Sequence, residues 1–170
     1  VSLCVVMAGV TALWVGMMRI AEKSGLLEAM EQRMQPVLNF LFPEIPGNHP
    51  SRKSIATNLL ANVLGLGWAA TPAGLKAMEE LADLEEERRR KKQRAVPIGA
   101  ASNEMCDFLI LNISSLQLIP VNIIAFRTEY GSVTPTAIVG PAILATAVST
   151  GIAIFYIKIR KYIYRKLFDR

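Results

Sequence analysis

Asparagines at helical spacing are the residues of this sequence best suited to bind a solute. Asn58, Asn62 and Gly65 stand at i, i+4 and i+7, so one helix face presents two amides and a gap for a ligand or another backbone. Because a carboxamide both donates and accepts hydrogen bonds, this pattern predicts binding of a polar solute. Hydrogen bonding between membrane helices is the competing interpretation.

A second candidate lies where a new helix is expected to begin. Gly65 or Gly67 can end the preceding helix in a left-handed conformation, and Thr71 can then cap a helix whose first residue is Pro72. The free amide groups at such a start favour anionic or strongly accepting groups. Simple helix capping explains Thr71 equally well.

A third polar group interrupts another apolar stretch, in which Pro120 is expected to bend or break the helix. Interrupted segments that occur as a pair point to a transporter-type site, although packing explains these polar residues as well. The candidate substrate-binding residues are therefore Asn58, Asn62, Gly65, Gly67, Thr71, Asn112, Ser114, Ser115, Gln117 and Asn122.

The remaining reactive residue types do not form a catalytic set. No Ser/His/Asp group, phosphate loop or dinucleotide fingerprint is present, so we expect no enzyme, no catalytic residue and no cofactor. His49, the sole histidine, lacks a second His or a Cys nearby, and we expect a surface residue and no metal site. Glu104 and Asp107 are expected to stabilise a helix start; a proton or cation role for Asp107 stays open.

The composition predicts an all-α integral membrane protein. Of 170 residues, 52% are hydrophobic and 19% charged. Charge is absent from four long stretches, and about 20 apolar residues cross a bilayer as a helix. A soluble helical bundle is the remaining alternative.

We expect one membrane domain, residues 1–170, with transmembrane helices, an interrupted or re-entrant helical hairpin and an interfacial amphipathic helix. A kinked span remains open for the hairpin. The expected segments are a spanning helix (1–18), an interfacial amphipathic segment (19–53), broken or re-entrant helices (54–84), a basic cytoplasmic loop (85–102), a Pro-interrupted spanning segment (103–126), a spanning helix (133–157) and a basic cytoplasmic tail (158–170).

The net charge of +5 comes mainly from two basic blocks, in 85–102 and 158–170. By the positive-inside rule both are cytoplasmic, which places the loop 127–136 outside. A re-entrant hairpin would also place 19–53 inside and Val1 outside. Beside apolar runs, such blocks are expected to meet anionic lipid, and nothing accompanies them that indicates nucleic-acid binding. The first apolar run has no basic n-region, so a signal peptide is disfavoured and residues upstream of Val1 are expected.

Several motifs resemble the spore maturation protein A family. They are Asn62-Val-Leu-Gly-Leu-Gly-Trp-Ala-Ala-Thr-Pro-Ala-Gly-Leu-Lys-Ala-Met78, Ala101-Ser-Asn-Glu-Met-Cys106, Asn112-Ile-Ser-Ser-Leu-Gln-Leu-Ile-Pro120 and Ile138-Val-Gly-Pro-Ala142. The resemblance implies a multi-pass protein of the bacterial inner membrane in the nucleoside recognition, or gate domain, superfamily. It also implies a role in spore core dehydration with a spore maturation protein B-like partner.

The leading hypothesis is a transport or gating half-module. In it, the two interrupted segments line a path for a small polar solute, and a partner subunit or a second copy completes the path. The alternative is a non-transporting membrane scaffold that binds the spore maturation protein B-like partner. The two hypotheses differ in the expected effect of replacing Asn62 or Asn112 by leucine. In a gate the variant protein folds but does not function, whereas in a scaffold the variant fails to assemble with its partner.

Overall fold

The computed structural model describes residues 2–65, 67–114 and 117–168. All regular elements among these residues are helical, which confirms the all-α prediction for this part of the chain. The helices are α1 (Ser2–Lys23), α2 (Leu26–Leu41), α3 (Ser51–Val63), α4 (Gly67–Arg90), α5 (Asn103–Ser114), α6 (Val121–Glu129), a 3₁₀ turn (Pro135–Ile138) and α7 (Val139–Phe168).

The segment 19–53, expected to be one amphipathic stretch, contains three elements. α1 continues to Lys23, Gly25 takes a φ of 72° between α1 and α2, and α3 already begins at Ser51. The apolar face of α2 is buried through Leu38 and Leu41. The helix ends two residues before Pro43, and Lys161 Nζ donates to the terminal carbonyl of Leu41 at 2.9 Å. Arg52 binds carbonyls of the turn that follows, with its Nη2 2.7 Å from Ile45 O.

α3 and α4 form a tightly packed helical hairpin. The two helices bury Ile55 and Ala56 of α3 against Ala77, Leu81 and Leu84 of α4, in the main hydrophobic core. Between them the chain turns over Leu64 and Gly65, so the interruption predicted in 54–84 is present. α4 begins at Gly67, however, and contains Pro72 in its interior, so the prediction that a helix starts at Pro72 with Thr71 as its cap is wrong.

α5 and α7 run antiparallel along the other side of this core. Asp107 near the start of α5 contacts Arg160 near the end of α7, and Ser114 at the end of α5 contacts Thr150. After α5 the helix stops, and α6 begins directly after Pro120. The interruption predicted within 103–126 is therefore also present.

Two expected segment boundaries need correction. Residues 85–90 of the expected loop 85–102 belong to α4, because the i, i+4 pairs Arg90–Glu86 and Lys91–Glu87 extend that helix. In the expected tail 158–170, helix α7 continues to Phe168. Within the described residues, one helical stretch, Pro135–Tyr164, satisfies the length and composition of a membrane span.

Candidate functional site

The interruptions of the two helical segments meet. Val63 at the end of α3 has a carbonyl without a helical partner, and the Leu118 N–H donates to it at 2.8 Å. Gly65, with φ of 77°, lies so close that a Cβ there would be 1.9 Å from the Ile119 carbonyl oxygen. We call this contact the crossing; glycine is the only residue that fits it.

Three asparagine side chains lie beside the crossing. Asn62 Nδ2 donates to Asn112 Oδ1 at 2.6 Å, which links α3 to α5, and it lies 3.3 Å from Asn58 Oδ1. The exposed fraction is 1% for Asn58 and 9% for Asn62. We call Asn58, Asn62 and Asn112 the amide cluster. The structure therefore brings together the leading candidates from both interrupted stretches.

The backbone of α4 closes one side of the amide cluster. Asn58 Nδ2 donates to Ala70 O at 2.8 Å, and a Cβ added at Gly74 would lie 2.8 Å from the same nitrogen. Sequence reasoning missed Gly74. A glycine inside a helix lowers helix stability by about 1 kcal/mol relative to alanine. A glycine at such a position therefore indicates that another group approaches the helix closely, and this signal was available in the sequence.

Two other candidates face α7 instead of the amide cluster. Ser114 Oγ donates to Leu111 O at 2.7 Å and lies 3.3 Å from Thr150 Oγ1. The Gln117 backbone N–H and Thr146 Oγ1 are 3.4 Å apart. Both residues therefore connect the α5–α6 interruption to α7.

The remaining candidates do not join the amide cluster. Gly67 opens α4, and Thr71 is exposed with its hydroxyl bonded to Gly67 O at 3.2 Å. Asn122 is exposed on α6. Ser115 lies outside the described residues.

Charged side chains gather at the opposite end of α4 and α5. Arg88 Nη1 lies 2.5 Å from Glu85 Oε1 and 2.7 Å from Glu104 Oε1, and both carboxylates are buried. Burial lowers the pKa of Arg88, but hydrogen bonds and charge from Glu104 and Glu85 outweigh it, so the pKa lies above its ordinary value. These residues line a cavity of about 530 Å³ together with Tyr164 and the loop 93–97.

A second ion-pair group adjoins the first. Asp107 is fully buried; its Oδ1 lies 2.5 Å from Arg160 Nη2 and its Oδ2 lies 2.9 Å from Lys161 Nζ. Lys161 also donates to Leu41 O at the end of α2, at 2.9 Å. We call Glu85, Arg88, Glu104, Asp107, Arg160 and Lys161 the charged end. Asp107 thus joins α5 to α7, and Lys161 extends the link to α2; the helix-start role expected from the sequence did not include this link.

The amide cluster and the charged end suit different chemistry. The three carboxamides carry no formal charge, so they suit uncharged or weakly charged hydrogen-bonding groups. The Nδ2 groups of Asn58 and Asn62 already donate to protein acceptors, so a solute would have to replace these bonds. Among the described residues, no three His, Cys, Asp or Glu side chains are grouped to hold a metal ion.

One relative bears on this geometry. The chain is 45% identical over 157 residues to spore maturation protein A of Bacillus subtilis (strain 168), a match that covers 92% of the chain and 74% of the relative. The chain belongs to the spore maturation protein A family. The resemblance found in the sequence motifs is therefore confirmed, and the amide cluster and the crossing are features of a member of the spore maturation protein A family.

Other comparisons add nothing to this assignment. No family model matches the chain, and no solved structure matches it.

Proposed function

We propose that this chain is a membrane component of spore maturation that acts as one half of a gate for a small polar solute. The sporulation role follows from the name of its relative. The gate role is non-catalytic and follows from the two interrupted helical segments. In this proposal the protein crosses the bacterial inner membrane several times, with the charged end in the cytoplasm.

The observation that carries the proposal is the hydrogen bond between Asn62 and Asn112, 2.6 Å long. It joins the amides of the two interruptions at the point where α3 and α5 both stop. Non-helical backbone at membrane depth is tolerated where it is covered by protein or lines a cavity. Polar side chains at such a place mark solute or ion pathways in membrane proteins.

The depth of the hairpin supports this placement. α3 and α4 both have their far ends at the level of the charged end, and they turn at Leu64–Gly65 beside the α5–α6 interruption. α3 has 13 residues, so it spans about 20 Å at 1.5 Å per residue, short of the roughly 30 Å of a bilayer core. The hairpin would thus enter from the cytoplasm and turn inside the membrane.

The arrangement described here would be the closed state. Asn58 donates to Ala70 O and Asn62 to Asn112, so the carboxamides close the cluster with their own bonds. A solute with hydrogen-bond donors and acceptors could exchange for these bonds at little net cost. Opening would require α5 to move away from the α3–α4 hairpin.

The helices of residues 2–65, 67–114 and 117–168 are too few to enclose a path by themselves. α7 is largely exposed along its apolar stretch, with Leu144 at 69% and Val148 at 62%. We propose that a spore maturation protein B-like subunit or a second copy supplies the missing wall. Membrane lipid would cover the remaining apolar surface.

Solute movement in proteoliposomes tests the proposal. The protein would be reconstituted alone and with its proposed partner and screened with nucleosides, small anions and metal ions. We expect saturable movement of one class, lost in Asn62→Leu and retained in Asn48→Leu, which alters an exposed loop residue. No movement by a folded, assembled complex would contradict the gate.

The scaffold alternative has its own supporting observation. Because the amide cluster is closed by internal bonds, it could serve packing alone. In that case Asn62→Leu would lower the amount of assembled complex in membranes, whereas a gate variant would assemble normally and fail only in movement. Co-purification with the partner separates the two.

A further inference from the structure

Glu31 carries a carboxyl group that is buried where α2 packs against α3. The residue is 8% exposed, and its Oε1 lies 2.6 Å from Thr57 Oγ1. Within the described part of the chain, this hydroxyl is the one group in hydrogen-bond or ion-pair contact with the carboxyl. A buried carboxylate ordinarily has a cation beside it, and Glu31 has a hydroxyl instead.

The basic side chains of the neighbouring helices are bound elsewhere or exposed. Arg52 of α3 binds carbonyls of the turn after α2. Lys158 and Lys161 of α7 bind the last two carbonyls of α2, about two and a half helical turns from Glu31. The other charged residues of α1, α2 and α3 are exposed, at Arg19, Lys23, Arg33 and Lys53, or have side chains outside the described part of the structure, at Glu22 and Glu28.

The contacts of Thr57 indicate where a proton lies. Thr57 Oγ1 is 2.9 Å from Lys53 O as well as 2.6 Å from Glu31 Oε1, and both distances are of hydrogen-bond length. A hydroxyl has one hydrogen, so with an ionised Glu31 that hydrogen would have to serve both contacts. A protonated Glu31 supplies the second hydrogen: its O–H donates to Thr57 Oγ1, whose own hydrogen goes to Lys53 O.

We propose that Glu31 is a proton-binding site and that the proton is the ion coupled to the gate. A bound metal ion does not fit the same contact. Cation–oxygen distances of about 2.0 to 2.6 Å hold neighbouring ligand oxygens roughly 3 Å apart or more, whereas Glu31 Oε1 and Thr57 Oγ1 are 2.6 Å apart. A hydrogen shared between two oxygens gives this separation.

The proton would act on the amide cluster through α3. Thr57 directly precedes Asn58, and α3 carries two of the three amides. When α2 separates from α3, water can take the proton from Glu31 and solvate the carboxylate; when the helices pack together, the carboxyl is reprotonated because a lone buried charge is disfavoured. Proton binding and the arrangement of α3 are therefore linked, and each changes the other.

The coupling rests on the proposed function, whereas the proton site rests on the burial and contacts of Glu31 alone. Infrared spectroscopy of the protein in membranes, at the pH of the solute assay, tests the site without solute movement. A neutral carboxylic acid has a C=O stretch at a higher frequency than carboxylates and amides. We expect Glu31→Gln to remove one such band, because its amide can keep the bond to Thr57 but holds no carboxyl proton. Glu79→Gln, at an exposed position of α4, is the matched control and should leave every such band in place.

Solute movement in proteoliposomes at a series of pH values tests the coupling. The packed arrangement holds the proton and is the closed state, so movement by the parent should increase as pH rises. We expect a change of roughly tenfold, within the usual range of coupling between sites, and less than about twofold in Glu31→Gln, which resembles the protonated form at every pH. Glu79→Gln should follow the parent.

A Glu31→Gln spectrum that keeps all the carboxylic-acid bands of the parent would overturn the proton site, even if solute still moves. Loss of one band in a protein that moves no solute would support the proton site and contradict the gate. Parallel pH profiles of the parent and Glu31→Gln would overturn the coupling. If Glu31→Gln is not recovered from membranes, Glu31→Asp decides instead: a shifted band supports the site, and an unchanged one overturns it.

Discussion

The amide cluster and the charged end hold polar side chains within the same helices by different means. At the amide cluster, Asn58, Asn62 and Asn112 bond through neutral groups. At the charged end, Arg88 forms ion pairs with two buried carboxylates, and Asp107 forms ion pairs with two basic side chains. The regions are separated along α5 by Phe108 and Leu111, both in the hydrophobic core.

The two regions differ in the free-energy cost of burying their polar groups. A neutral amide loses only hydrogen bonds when it leaves water, and a neighbouring amide restores them. An ion loses far more, so buried charges need partners of opposite sign. The charged side chains lie near the end of α4 and the start of α5, and the amides lie where helices α3 and α5 are interrupted.

The largest expected effect is on the crossing, through Gly65→Ala. The new Cβ would lie 1.9 Å from the Ile119 carbonyl oxygen, and the residue would keep a φ of 77°. Since backbone blocks the space, no rotamer relieves the overlap, and we expect a loss of roughly 3 kcal/mol or more in stability. Thermal unfolding of the purified protein in detergent measures it.

Gly67→Ala is the matched control for this change. No atom lies within 4 Å of a Cβ at Gly67, which opens α4, so alanine should be neutral or slightly stabilising. If both variants unfold at the same temperature as the parent, the two interruptions do not touch in the folded protein.

The next effect is on the charged end, through Asp107→Asn. The change leaves Arg160 and Lys161 without their shared carboxylate, and Asp107 is fully buried. Removing one partner of a buried ion pair costs about 3 kcal/mol. Chemical unfolding measures the loss, and Asp83→Asn, at an exposed position of α4, should change stability by less than about 0.5 kcal/mol. If Asp107→Asn and Asp83→Asn both lowered the free energy of unfolding by the same small amount, the Asp107 carboxylate would be exposed to solvent in the folded protein.

Local signals explain what the sequence predicted well. Gly65 follows the end of α3 and Pro120 precedes α6; because both residue types disfavour a continuous helix, both interruptions were predictable. The i, i+4 spacing of Asn58 and Asn62 places two amides on one face whatever surrounds the helix. Their meeting with Asn112 followed only from the expectation that paired interruptions converge.

The charged end depends on distant pairings that spacing does not encode. Asp107 and Arg160 are 53 residues apart, and either basic block could have faced solvent. Only the antiparallel packing of α5 on α7 selects these partners. Thr71 was mistaken for a cap for a different reason: Pro72 allowed a helix to begin there, but it does not prevent one from beginning five residues earlier at Gly67.

The smallest expected effect separates Thr71 from the amide cluster. Thr71→Ala removes one exposed bond to Gly67 O, 3.2 Å long, and a change of this kind is usually within about 0.5 kcal/mol. Solute movement should also stay at the parental level, because the hydroxyl donates to Gly67 O and not to the amide cluster. Parallel unfolding and proteoliposome measurements check both. If Thr71→Ala lost movement with unchanged stability, the solute would contact the start of α4, and the path would extend beyond the amide cluster along the exposed side of the hairpin.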